Sequence, residues 1–100
     1  MKIPKTIKVG QFIYKIKYVN DEIRNSQGDR LFAQARHYER EIVIDNKSNV
    51  IQTEESLIHE IIHCLDAVYK FSDKDLPESI IERLGTSLHK FIQDNPKIFK

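Results

Sequence analysis

The chain has 100 residues, enough for one hydrophobic core and too few for a separate substrate domain, so residues 1–100 are read as a single domain. It is 40% hydrophobic and 31% charged, with no run of the roughly 18 apolar residues that crossing a bilayer requires, which argues against a membrane protein. The formal net charge of +1 argues against nucleic acid as the partner, since phosphate binding calls for a concentrated basic patch.

The amino terminus, Met1-Lys2-Ile3-Pro4-Lys5, has no apolar stretch of the secretory kind. The single cysteine, Cys64, has no partner for an internal disulfide. A cytoplasmic location is therefore expected. From Phe12, apolar residues fall at every second position (Phe12, Tyr14, Ile16, Tyr18), with Lys15 and Lys17 between them, the period of a strand with one wet face. Gly10 suits the first central position of a tight turn, so Thr6 to Val9 and Phe12 to Val19 should form an antiparallel hairpin. The polar stretch Asn20 to Arg30 is expected to be a surface loop. Leu31 to His37 and Glu41 to Asp45 then look like two further strands around a turn near Tyr38-Glu39-Arg40.

After the polar residues Asn46 to Gln52 the period becomes helical. Leu57, Ile58, Ile61, Ile62, Leu65, Val68 and Tyr69 make an apolar stripe, Thr53 is a suitable N-cap, and Glu54 and Glu55 oppose the positive end of the helix dipole. Phe71 to Leu76 reads as a short polar connection. Pro77 suits the start of a second helix over Glu78 to about Asp94, which Asn95-Pro96 ends. The expected fold is α+β: a small antiparallel sheet of about four strands followed by two helices.

The chemistry is concentrated in His59-Glu60-Ile61-Ile62-His63. Two histidines four residues apart on a helix project from one face about a turn apart, and can bind one metal ion from the same side. Glu60 then points toward the open side of such a metal, where a carboxylate can take a proton from water; this is the logic of HExxH. The bland alternative is a pair of partly exposed histidines beside a solvated glutamate, but the motif's position inside an amphipathic helix, ahead of a second helix rich in ligands, favours a metal.

A catalytic zinc takes three protein ligands and leaves a position for water, so a third ligand is expected. Glu78 and Glu82 share one face of the second helix, with His89 two turns beyond Glu82. Glu78 is favoured and Glu82 is the alternative, because a second carboxylate placed after Glu78 can orient a ligating histidine. Cys64 reads as a buried small hydrophobe, Asp66 as a solvated acid or a support for a histidine, and His37 as a surface strand residue whose strand borders the cleft.

The segment Leu57-Ile58-His59-Glu60-Ile61-Ile62-His63, followed by Glu78-x-x-x-Glu82-Arg83-Leu84, resembles the small zincin-like proteins encoded by bacteriophages and mobile elements, and more distantly the ImmA/IrrE-type metallopeptidases. Only the two helices carry the specific part of the likeness. The resemblance implies zinc held by His59, His63 and a downstream glutamate, with Glu60 as general base and acid, and a protein substrate. The chain departs from the larger group in lacking its longer carboxy-terminal portion and the small-residue pattern after the glutamate. The expected function is zinc-dependent hydrolysis, of peptide bonds in the first instance. The alternative is a zinc-bearing binding module of anti-repressor or inhibitor type that turns nothing over.

Overall fold

A computed structural model of the chain describes residues 2–71 and 76–99. The amino-terminal hairpin has the expected bounds: β1 (Thr6–Val9) pairs antiparallel with β2 (Phe12–Val19), with Val9 opposite Phe12. Gly10 has φ +59°, and a Cβ there would lie 2.7 Å from Val68 Cγ1, so both backbone conformation and space require glycine at this turn.

The stretch expected to be a featureless loop contains a small hairpin of its own, β3 (Ile23–Arg24) against β4 (Arg30–Leu31). Gly28 at φ +85° turns it, and the Asn25 Oδ1 accepts from the amides of Gln27 and Asp29. After β4 come β5 (Ala33–Arg36) and β6 (Glu41–Asp45), paired antiparallel with Ala35 opposite Ile42.

The main sheet has four strands in the order β1-β2-β6-β5 and is mixed, since β2 and β6 run parallel with Ile16 opposite Ile42. This corrects the expectation of an all-antiparallel sheet. The connection through residues 20–32 is long enough to carry the chain past one strand position, so β5 is laid down a place away from β2 and β6 returns into the slot between them. The consequence for function is that β5 becomes an edge.

Helix α1 (Val50–Tyr69) covers one face of the sheet. It begins a turn earlier than Thr53: Asn49 is the N-cap, its Oδ1 accepting from Gln52 N–H at 2.8 Å. Glu54 and Glu55 therefore lie beyond the first turn, which carries no acid. Leu57 and Cys64 of α1 pack with Val9, Tyr14, Ile16, Ala33, Ile42 and Ile44 of the sheet as one core. A second cluster, Ile58 and Ile62 against Ile81, joins α1 to α2 (Glu78–Asp94), which ends at Asn95 as expected.

Within the connection read as Phe71 to Leu76, residues 72–75 lie outside the described residues. Leu76 N–H donates to Asp66 Oδ2 at 3.1 Å. Asp66 is thus a buried acceptor for the entry to α2, neither a solvated acid nor a support for a histidine. Among the described residues no helix is long and apolar enough to cross a membrane.

Candidate metal centre

The faces of α1 are divided between two packed neighbours and a cleft. Leu57 and Cys64 meet the sheet, Ile58 and Ile62 meet α2, and the remaining face carries His59, Glu60 and His63 between the β5 edge and the start of α2. One ligand atom from each of those three residues lies within 4.8 Å of the others.

Glu78, the first residue of α2, spans the two histidines, with Oε1 2.6 Å from His59 Nε2 and Oε2 3.1 Å from His63 Nε2. Both imidazoles thus present Nε2 toward one carboxylate. Two imidazole nitrogens and a carboxylate oxygen are a donor set that suits zinc. Glu82 lines the same cleft farther along α2 and makes no contact with either histidine that matches those of Glu78.

Glu60 turns toward the sheet. Its Oε1 accepts from the Ala35 N–H at 2.8 Å, while Oε2 lies 3.8 Å from His59 Nε2. The amide is available because of strand geometry. Phe32 C=O accepts from Asp45 N–H at 2.8 Å, so the alternate residues Ala33 and Ala35 direct their backbone groups away from β6, off the sheet's edge. Burial pushes the Glu60 carboxyl above its ordinary range, against the Ala35 amide and the neighbouring His63 and His59, all of which favour the charged form.

His59, Glu60 and Glu78 line a cleft of about 420 Å³. Leu31, Phe32 and Ala33 form one wall, Ser56, His59 and Glu60 the floor, and Glu78, Glu82, Gly85 and Thr86 the other wall. No tyrosine is among the lining residues. Comparison with family models, with curated proteins and with solved structures found no match to this chain.

His89 does not join the site. It is buried near the far end of α2, with Nε2 2.9 Å from Glu54 Oε1 and Nδ1 3.8 Å from Glu55 Oε1. That hydrogen bond holds the Glu54 carboxyl below its ordinary range. Cys64 is fully buried on the sheet side of α1, and its thiol is pushed up to about 12 by burial and by the Glu60 charge, so it is an inert core residue as expected. His37 follows β5 at the surface, 3.2 Å from the Tyr14 hydroxyl, while the residues before it border the cleft.

Sequence reasoning missed two contributors. The Ala35 amide has no side-chain signal, although the alternation along an edge strand exposes every second amide. Gly85 did leave a signal: a glycine inside a helical pattern asks for a packing reason.

Proposed function

We propose that the chain is a zinc-dependent hydrolase of peptide bonds, with His59, His63 and Glu78 as metal ligands and Glu60 as the proton carrier. The observation that carries this reading is the Glu78 carboxylate spanning both Nε2 atoms beside a glutamate tied to an open strand edge. When bound, zinc supplies Lewis acidity, which makes water acidic enough to lose a proton near neutral pH and stabilises developing negative charge.

The chain's own residues do the rest. Glu60 accepts the proton from the attacking water and delivers it to the departing amine, a role suited by a carboxyl whose burial raises its basicity. The outward backbone groups of Ala33 and the Ala35 carbonyl offer hydrogen bonds to an extended peptide, which would lie along β5 as an added strand and pass over His59 once Glu60 releases the Ala35 amide. A protein or peptide substrate fits an open cleft flanked by a strand edge. The resemblance to phage-encoded zincin-like proteins points the same way.

Elemental analysis of protein purified without chelators should give near one zinc per chain. Glu60→Gln should keep that zinc and lose hydrolysis of a peptide library, because the amide retains shape but cannot carry the proton. Unchanged hydrolysis removes Glu60 from the mechanism. The non-catalytic alternative makes a different demand: a chelator should then unfold the chain, whereas two apolar clusters that contain no ligand favour a fold that survives metal removal.

A further inference from the structure

Gly85 sits in the interior of α2, where glycine costs about 1 kcal/mol relative to alanine. Its φ lies outside the left-handed region, so backbone conformation does not demand glycine there. What it meets is His59: a Cβ built on Gly85 would lie 3.4 Å from both Cα and Cβ of His59 and 3.5 Å from its backbone nitrogen. At this point α2 rests directly on the backbone of a proposed metal ligand.

The two helices run antiparallel and, besides the Ile81 contact with Ile58 and Ile62, touch at three points along α2. Glu78 meets His63 and His59, Gly85 meets His59, and His89 meets Glu54 and Glu55. Seven residues separate Glu78 from Gly85, two helical turns, so the two share a face and lie about 10 Å apart along the axis. His89, one turn beyond Gly85 and buried, anchors the far end. A side chain added at position 85 therefore pushes α2 off α1 between the His89 and Ile81 contacts and shifts Glu78, about one turn beyond Ile81, relative to the two histidines.

We propose that Gly85 is a positioning residue for the metal centre, its missing side chain setting the approach of α2 to α1 that lets one carboxylate reach both His59 and His63. This rests on the metal reading above and adds what holds the third ligand in place. The interaxial distance of packed helices depends on the side chains at the contact. Alanine at 85 only touches the His59 backbone, whereas valine carries atoms that must enter it, so the effect is graded with side-chain size.

The test uses the full chain and the metal alone. Zinc dissociation constants are measured by competition with a chromophoric chelator for wild type, Gly85→Ala, Gly85→Val and Ser87→Ala. Urea midpoints of the metal-free proteins, and the visible absorption of bound cobalt(II), which weakens as coordination rises above four, accompany them. Gly85→Ala should keep or raise the urea midpoint through its better helix propensity while binding zinc a few-fold more weakly. Gly85→Val should bind about tenfold more weakly or worse, the range seen when support for a metal ligand is lost. Both should lose cobalt band intensity.

Ser87→Ala, with a smaller gain in propensity on an exposed position, should bind as wild type does. Equal zinc affinity and an unchanged cobalt spectrum in Gly85→Ala, or in a folded Gly85→Val, overturn the proposal while leaving the metal site standing. A wild type that takes up no zinc overturns the metal reading and this inference with it.

Discussion

At the start of α2, Glu78 meets His59 and His63 in an open cleft, their side chains 59%, 20% and 29% exposed; near its end, His89 meets Glu54 inside the helix interface, at 5% and 9%. The functional groups are the same and the helices are the same. What differs is access and the number of convergent donors. In the cleft two imidazoles share one carboxylate and leave an open side, an arrangement a divalent ion can enter. In the interface one imidazole sits between the Glu54 and Glu55 carboxylates, closed on Glu54 and shut in by the helices, so its contribution is to fix how they lie. Polar chemistry of one kind thus serves as a candidate site at one end of a helix pair and as a strut at the other.

The contrast breaks most sharply at His59. His59→Ala should abolish zinc binding, checked by elemental analysis, while the metal-free protein unfolds in urea within about 1 kcal/mol of wild type, as expected for a partly exposed side chain outside both apolar clusters. The converse should hold at the other end. His89→Ala removes one partner of a buried pair and should lower stability by about 3 kcal/mol in urea denaturation. Zinc stoichiometry should survive if the experiment is done where the variant is still folded.

Acid gives a finer cut. The His89 hydrogen bond depresses the Glu54 carboxyl on folding from its ordinary value of 4.5. A depressed carboxyl contributes stability that is fully present above that ordinary value and is lost as pH falls through the lower, folded one. Stability should therefore decline on acidification below 4.5, and His89→Ala should flatten that limb of the curve. An equally steep limb in the variant would separate the acid sensitivity from the His89–Glu54 bond, Asp45 being another buried carboxyl held low, by the Lys47 amide and by Arg30. The smallest effect is expected at Glu82. Glu82→Gln should leave zinc content and affinity unchanged, and a loss of metal there would hand the third-ligand role from Glu78 to Glu82.

How much of this was legible depended on distance along the chain. The hairpin around Gly10 and the bounds of α2 follow from period and punctuation within a few residues, and the His59, Glu60 and His63 cluster follows from helical spacing alone. The parallel pairing of β2 with β6 was hidden because nothing local in Ile42-Val43-Ile44 says which neighbour it will find. Glu54 reads as a charge for the helix dipole only when Thr53 is taken as the cap, and Asn49, a good cap three residues before Gln52, is hard to single out inside a polar stretch. The hydrogen bond between Glu54 and His89 reaches 35 residues along the chain. In the same way Glu60 could be assigned a role from its motif, but its hold on the sheet needs a strand that the alternation pattern places without saying which edge is free.

That hold has a further consequence. An uncovered strand edge is a template on which other chains can add, and proteins commonly blunt such edges with charge. Glu60 sits on the β5 edge as a negatively charged plug, occupying the Ala35 amide that an incoming strand would seek. The residue proposed to act on a bound peptide is therefore also the one that keeps unwanted strands from docking, and a ligand must displace it from Ala35 before it can lie along β5.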